Sequence, residues 1–246
     1  MDRGLYVAMT GAKQIMQAQG INNNNIANIN TVGFRADTVS FTSEPIYGPG
    51  FATRVNAVAG DSGTDFASGV MLATSQPLDI AVNGSGFIAV QGADGKEAYT
   101  RAGQLKVQES GTITTATGFP VLSESGQVNV PPATSVTIGA DGTVSVVPLG
   151  LSAAAQSQVD RIKLVNPPVR SLVKGPDGLF RPVSGAKLAT DETVRVSSGA
   201  LESSNVNAAS SLVSMIQLQR LYEFQIKSIN STDTSAQAAE RMITSG

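Results

Sequence analysis

Residues 205–230 read NVNAASSLVSMIQLQRLYEFQIKSIN, and this stretch decides the fold. Projected at about 3.6 residues per turn, its apolar side chains cover most of the circumference of a helix and leave only a narrow polar arc. The apolar positions are Val206, Ala209, Leu212, Val213, Met215, Ile216, Leu218, Leu221, Tyr222, Phe224, Ile226 and Ile229. A helix that is apolar on nearly every side needs more than one partner to cover it.

Local signals within and before this stretch also predict a helix. Glu223 follows Arg220 by three residues and precedes Lys227 by four, the spacing at which side chains meet and support a helix. Ser203 or Ser204 is predicted as the N-cap. If the helix continues to Met242, it is about 55 Å long, which exceeds what a small β domain could cover.

The first partner predicted for this helix is the N-terminal segment. One sector of its helical wheel is apolar, and it contains Leu5, Ala8, Met9, Ala12, Ile15, Met16 and Ile26. If the two ends pair as a coiled coil, this stripe covers one side of the C-terminal helix and leaves the rest exposed, which usually marks an interaction site. The alternative is that both helices pack onto the middle of the chain.

The end of the N-terminal helix is marked by asparagine and glycine. Residues 22–25 are all asparagine, a poor helix former, so an isolated helix here is expected to be marginal and to fold when partners cover it. Gly33 is predicted to stop the helix in a left-handed cap, with Phe34 packing back against it. The predicted N-terminal helical element therefore spans residues 1–35.

Residues 36–75 lose all periodicity. They contain the turn Gly48-Pro49-Gly50 and scattered glycine, serine, threonine and aspartate, which predict an extended connector or irregular strands. A connector of this length is interpreted as an arm laid along a partner or along the next domain.

From residue 76 to residue 203 the apolar period changes to two. Short strand-like runs such as Leu78–Val82, Gly86–Gln91 and Gln127–Val130 alternate with turn signals such as Asp141-Gly142. Many short strands at this spacing predict a mainly-β domain of sandwich or barrel type. The predicted fold class is therefore α+β: a central β domain, and a terminal coiled-coil module that residues 204–246 complete.

Composition excludes several kinds of chemistry. The chain has no cysteine, histidine or tryptophan, so a cysteine nucleophile, a haem ligand, a structural zinc site and a Ser-His-Asp triad are excluded. A formal net charge of −2 gives no reason to expect nucleic acid. Charged residues make up only 15 % of the chain, a composition suited to surfaces that copies or neighbours cover. No cleavable signal peptide and no bilayer-spanning run are predicted.

Other functions are weaker interpretations. Gly84-Ser85-Gly86 has neither the Lys-Ser/Thr pair nor the following helix of a phosphate loop, so it is interpreted as a strand turn. Acid pairs such as Asp191-Glu192, or Asp65 with Asp79, are interpreted as solvated loop carboxylates and not as a glycosidase pair. The better rival is a secreted carbohydrate-binding or adhesin module, although the absence of tryptophan leaves few aromatic side chains for it. A membrane-surface helix would need a basic polar face.

Several stretches of sequence carry a family resemblance. The opening Leu5–Ala12 and the run Ile26–Arg35, which contains Ala-Asn and then Thr-Val-Gly-Phe-Arg, resemble the signature of bacterial flagellar rod and hook proteins. Leu78–Phe87 with Tyr99–Gly103 resembles the central domain of that family. Its C-terminal helix is matched by Ser204–Asn207 with Met215-Ile216, Gln219-Arg220 and Tyr222-Glu223. One departure is Ala209-Ser210-Ser211-Leu212, where relatives often carry acidic residues, which leaves the charge pattern of that interface open. Length and the opening residues favour a proximal-rod member, with a distal-rod or hook-type subunit as the alternative.

The resemblance implies a structural subunit of the flagellar basal body and no enzyme. It implies export by the flagellar type III apparatus without signal-peptide cleavage, followed by assembly in the periplasmic rod with copies of itself and other rod proteins. The terminal helices would line the inner tube and the β domain would form the outer layer. No cofactor, metal, catalytic residue, small-molecule substrate, nucleic acid or membrane insertion is expected.

The predicted assembly interface combines the two terminal helices with the family motifs. Its members are Leu5, Met9, Ala12, Met16, Ile26, Asn28, Gly33, Phe34, Val206, Leu212, Ile216, Arg220, Tyr222, Glu223, Ile226 and Ile229.

Overall fold

A computed structural model describes residues 3–45, 55–60, 63–150 and 156–244. The chain divides into two compact units. One combines residues 1–28, 36–65 and 206–246, and the other combines residues 29–35 and 66–205. The predicted turn at Gly48-Pro49-Gly50 lies outside the described residues.

The first unit contains the two long helices, α1 (Arg3–Ala27) and α2 (Ala208–Thr244), which pack against each other. The predicted pairing of the chain ends is therefore confirmed. The helices are antiparallel: the Asn22 amide, near the end of α1, donates to the Ser211 carbonyl at the start of α2 over 2.9 Å. Further along, Gly11 of α1 faces the side chain of Gln225.

The same unit contains two antiparallel strand pairs. β1 (Asp37–Thr38) pairs with β4 (Gly63–Thr64), and β2 (Phe41–Pro45) pairs with β3 (Val55–Ala59). The α1 helix contacts both β1 and β3. Residues 36–75, predicted as a connector, thus contain short strands. The predicted division of the chain into four segments stays a prediction.

The second unit is mainly β, and its strands are short. They are β5 (Met71–Ala73), β6 (Ile80–Asn83), β7 (Phe87–Gln91), β8 (Glu97–Thr100), β9 (Leu105–Val107), β10 (Ile113–Thr115), β11 (Ala133–Ile138), β12 (Thr143–Pro148), β13 (Ser157–Arg161), β14 (Leu164–Val165), β15 (Leu172–Lys174), β16 (Phe180–Pro182), β17 (Arg195–Ser198) and β18 (Ala200–Glu202), with a 3-10 helix at Val169–Ser171. The predicted α+β fold class, with terminal helices and a central β region, is confirmed.

These strands form several small sheets. The largest has the order β14-β7-β8-β16-β15, and a second has the order β11-β12-β13. The remaining pairs are β9 with β10, β6 with β17 and β5 with β18. A core of valine, isoleucine and leucine side chains lies within this unit, and a smaller aromatic cluster groups Phe66, Phe87, Tyr99 and Phe180. The predicted strand Gln127–Val130 is not a continuous strand; it forms only isolated bridges, of Gln127 with Leu122 and of Asn129 with Thr112.

The N-cap of α2 corrects the prediction of Ser203 or Ser204. The helix begins at Ala208, and the Asn207 side-chain oxygen accepts a hydrogen bond from the Ser210 N–H over 3.0 Å. Ser203 lies outside the helix, because its N–H donates to the Val70 carbonyl in the β unit. Asparagine caps a helix as well as serine does, although only the two serines were predicted as caps.

We expect Asn207→Ala to destabilise α2 by about 1 kcal/mol, since the N–H of Ser210 loses its acceptor. Asn207→Asp keeps an acceptor and places a negative charge at the positive end of the helix, so it should retain stability. Urea unfolding followed by far-ultraviolet circular dichroism measures both. Equal stability of the alanine and aspartate variants would contradict the cap.

Candidate assembly interface

The seam between α1 and α2 is built from small residues of α1 and larger residues of α2. Half-buried residues of α2 recur at alternating spacings of three and four, as in a coiled coil; they are Met215, Leu218, Tyr222, Gln225 and Ile229. On α1, Ala8, Gly11, Ile15, Ala18 and Asn22 follow the same spacing. A Cβ added at Gly11 would lie 3.2 Å from the Gln225 side chain, so this glycine permits close approach.

The seam corrects the stripe that was predicted on α1. Met9 and Met16 are 52 % and 57 % exposed, whereas Ala8, Ala12 and Ala18 are buried. The predicted stripe is wrong for the two methionines, because the helix turns its small side chains, and not its bulkiest, toward the tight contact. The α1 helix therefore keeps an exposed stripe, Tyr6, Met9 and Met16, on its other side.

The asparagine run stabilises the end of α1 instead of fraying it. Asn22 donates to the Ser211 carbonyl of α2. Asn25 is buried and forms two hydrogen bonds with the main chain of Asp37: its amide donates to the carbonyl over 2.7 Å, and its oxygen accepts the N–H over 2.9 Å. The spacing of three residues lets one asparagine contact α2 while another contacts β1.

The side of α2 that faces away from the seam is apolar and exposed. We call Leu212, Val213, Ile216, Leu221 and Phe224 the outer face of α2; each is about half exposed or more, and Phe224 reaches 75 %. Exposed apolar area of this extent on one helix is typical of interaction surfaces. Arg220, Glu223 and Lys227 are also exposed. In the described part of the chain no ion pair joins them, although their spacing predicted that they would support the helix.

The structure distributes the predicted interface residues over three environments. Met9, Met16, Leu212, Ile216, Arg220, Glu223 and Ile226 are exposed. Leu5, Ile26, Asn28, Phe34, Val206, Tyr222 and Ile229 are half-buried, and Ala12 and Gly33 are buried. Whether these residues form an assembly interface stays a prediction.

Gly33 and Phe34 belong to the β unit instead of capping α1. The α1 helix ends at Ala27, so the predicted cap at Gly33 is wrong in position, although Gly33 does adopt a left-handed φ of 67°. Its N–H donates to the Glu202 carbonyl over 2.8 Å. The Phe34 ring lies 3.9 Å from the Lys174 ammonium, whose nitrogen also donates to the Arg35 carbonyl.

A buried charged cluster that sequence reasoning missed joins residues 29–35 to this unit. One Glu202 oxygen accepts from Arg35 over 2.7 Å and from the Gly69 N–H over 2.9 Å. The other accepts from Arg101 over 3.0 Å. All three charged side chains are at most 4 % exposed. Only Glu202 lies in a strand, β18, and its pairing with Arg35 and Arg101 depends on the fold, so no local pattern in the sequence indicated it.

Electrostatics make Glu202 the centre of this cluster. Burial lowers the pKa of Arg101, and the charge of Glu202 opposes that shift. Arg101 also donates to the Val82 and Gly84 carbonyls and lies 5.3 Å from the centre of the Phe87 ring. The carboxylate thus compensates two cations that burial would otherwise disfavour.

The close contact between Gly33 and Arg101 provides a test of how residues 29–35 pack against the rest of the β unit. A Cβ at Gly33 would clash with the Arg101 carbonyl, and its positive φ adds strain. We expect Gly33→Ala to destabilise the β unit by at least about 2 kcal/mol. Gly178→Ala is the matched control, because its φ of 76° is similar but its Cβ would meet open space. In urea unfolding, similar losses for both variants would contradict a steric role for Gly33.

The described residues contain neither a cluster of metal ligands nor a helix that could span a membrane. No three acidic, histidine or cysteine side chains among them lie close enough to hold a metal ion. Neither described helix has the length and hydropathy needed to cross a membrane.

Comparison with known families agrees with this architecture. Residues 5–35 match the family described as flagella basal body rod protein, residues 81–146 match the flagellar hook protein FlgE/F/G D1 domain, and residues 197–242 match the C-terminal domain of flagellar basal body rod FlgEFG proteins. The matches cover α1, much of the β unit and α2. The chain belongs to the flagellar basal-body rod protein family.

Within this family, the chain is similar over its whole length to the rod proteins named FlgF. It is 39 % identical to FlgF of Escherichia coli, with 99 % of each chain covered. It is 33 % identical to FlgF of Caulobacter vibrioides, with 98 % of each covered. FlgG of Bacillus subtilis is 31 % identical over 95 % of this chain and 96 % of its own length.

Proposed function

We propose that this protein is a structural subunit of the flagellar basal-body rod that polymerises through its terminal helices and transmits torque as part of the shaft. The observation that carries the proposal is the exposed outer face of α2, in a chain 39 % identical to a basal-body rod protein. A single chain leaves this apolar surface in water, and neighbouring subunits would cover it.

The arrangement of the exposed faces favours an open polymer over a closed dimer. The α1 stripe (Tyr6, Met9 and Met16) and the outer face of α2 are different surfaces. If one packs on the other in the next subunit, the contact is heterologous and can repeat indefinitely. A symmetric pair through α2 alone would leave the α1 stripe exposed.

The partners, the location and the absence of a catalytic role follow from the same structural role. The partners are copies of the chain and other rod proteins, and the location is the periplasmic rod, reached through the flagellar export apparatus without signal-peptide cleavage. The protein has a mechanical role and no catalytic one. A carbohydrate-binding module is not favoured, because the family matches cover both terminal segments as well as the β unit.

Incorporation into basal bodies tests this function. In a flagellated strain whose own copy is deleted, the full-length protein should restore swimming and be found in purified basal bodies. Deletion of residues 212–229 should abolish both, since it removes the whole outer face. The proposal fails if the full-length protein is produced but is absent from basal bodies, or if the deleted form is incorporated normally.

Fold-on-assembly is tested in the purified protein. If the terminal segments need neighbours to be fully covered, limited proteolysis of the monomer should cleave both ends and leave a core near residues 70–204. Full protection of both ends in the monomer would contradict this part of the proposal.

A further inference from the structure

The buried cluster of the β unit holds more positive than negative charge. Glu202 is the shared partner of Arg35 and Arg101, and all three side chains are at most 4 % exposed. A guanidinium group keeps its proton at any pH at which proteins fold, so neither arginine can lose its charge by titration. One carboxylate therefore faces two cations, and one positive charge stays uncompensated in the interior, which is strongly unfavourable.

Main-chain carbonyls and an aromatic ring satisfy most of Arg101. Its Nη1 donates to Glu202 over 3.0 Å and to the Val82 carbonyl over 3.2 Å, and its Nη2 donates to the Gly84 carbonyl over 2.6 Å. The centre of the Phe87 ring lies 5.3 Å away, within the range of a cation–π contact. Of its nitrogens, only Nε has no acceptor among the described residues.

Arg35 is held far less completely, although it is only 1 % exposed. Its Nη2 donates to one oxygen of Glu202 over 2.7 Å, and that oxygen also accepts from the Gly69 N–H. In the parts of the chain that the structure describes, its Nε and Nη1 are buried and have no hydrogen-bond partner. A buried donor without an acceptor destabilises a fold, and a donor on a charged group does so most. The excess charge and the missing acceptors therefore coincide at Arg35.

The chemistry of these groups defines the ligand. Each unmatched group of the cluster is an N–H donor, so the ligand must accept hydrogen bonds. A water molecule would accept them, but it carries no charge, and its own two hydrogens would need acceptors. An anion supplies both the acceptor and the missing negative charge. Because Arg35 is buried, the ion has to be small, which favours a halide over an organic acid or a side chain of another molecule.

We propose that the β unit binds one small inorganic anion, chloride in ordinary buffers, at the unpartnered N–H groups of Arg35, beside the carboxylate of Glu202. The ion neutralises the positive charge that Glu202 leaves. It also helps to hold residues 29–35 against the strands, where the Gly33 N–H donates to the Glu202 carbonyl. The site lies within the β unit and does not depend on the proposed rod function.

Urea unfolding of the full-length protein at constant total salt tests this site. Sodium chloride is replaced stepwise by sodium gluconate, whose anion is too large for a buried position. Above the dissociation constant of the site, each tenfold rise in chloride should lower the unfolding equilibrium constant about tenfold, because one ion binds the folded state alone. An unfolding midpoint that does not change with chloride would overturn the proposal and would leave water as the partner of Arg35.

The variants Arg35→Met and Arg170→Met form a matched pair. Arg35→Met removes the excess charge and leaves Glu202 paired with Arg101, so its unfolding should not depend on chloride. Arg170→Met removes an exposed arginine of the same unit and should keep the dependence. Chloride dependence that persists in Arg35→Met would contradict the site.

A second measurement applies if Arg35→Met does not fold. Crystals of the unmodified protein grown in sodium bromide should show an anomalous peak within hydrogen-bonding distance of the Arg35 guanidinium. Bromide peaks at other positions alone would indicate an adventitious ion only, and they would overturn the proposal.

Discussion

Glu202→Ala is expected to destabilise the β unit by about 3–5 kcal/mol, because removing one partner of a buried ion pair leaves an uncompensated charge in the interior. The substitution leaves Arg35 and Arg101 buried without their shared carboxylate, and it removes the acceptor of the Gly69 N–H. Two unpaired guanidinium groups at most 4 % exposed would either repel each other or draw water into the unit. Urea unfolding of the purified full-length protein measures the loss.

The matched control is Glu192→Ala in the same unit. The Glu192 side chain is 84 % exposed, and its oxygen lies 4.0 Å from Arg161. An exposed pair of this kind contributes about 0–1 kcal/mol, so this variant should unfold at nearly the same urea concentration as the unmodified protein. A loss for Glu202→Ala no greater than that for Glu192→Ala would show that the buried cluster does not stabilise the unit.

Replacing Ile216 and Phe224 together with glutamate is expected to lower incorporation into basal bodies at least about a hundredfold, because each buried apolar side chain contributes about 1.5–3 kcal/mol to a contact. Glutamate also places charges on a surface that neighbours would have to desolvate. The readout is the amount of protein in purified basal bodies, with swimming as a second measure.

The fold of the isolated chain should tolerate the same change. Ile216 and Phe224 are 52 % and 75 % exposed on α2, so helix content and urea unfolding of the monomer should change little. A conservative pair, Ile216→Leu with Phe224→Leu, keeps the surface apolar and should be incorporated. Normal incorporation of the glutamate variant, or equal loss in the leucine variant, would contradict assembly through the outer face.

The apolar periodicity along the chain predicted a helix or strand well where the same period recurs over several turns or residues. The excess of apolar residues in 205–230 predicted a helix that one partner cannot cover, and the structure places Leu212, Ile216 and Phe224 in an exposed position. The change to a period of two predicted a mainly-β region from short strands. These signals are local, because side-chain direction follows from the geometry of a helix or a strand.

Signals that depend on one residue were less reliable. Ser203 or Ser204 was predicted to cap α2, but the cap is Asn207, whose oxygen accepts from the Ser210 N–H, while the Ser203 N–H pairs with Val70. Gly33 did require a positive φ, but it serves a contact with Arg101 and not the end of α1. A single glycine or cap residue predicts an unusual backbone conformation, but it does not predict which residue that backbone will contact.

What the sequence determined by itself is therefore the fold class, the two long helices, and the surplus of apolar surface on α2. What only the tertiary structure decided is which face of α1 enters the seam, the sharing of Glu202 by Arg35 and Arg101, and the burial of Asp79, which the sequence analysis interpreted as a solvated carboxylate. The physical reason is that helix and strand patterns repeat over a few neighbouring residues, whereas these contacts join residues distant in the chain. Their energies depend on burial and distance, which no local pattern contains.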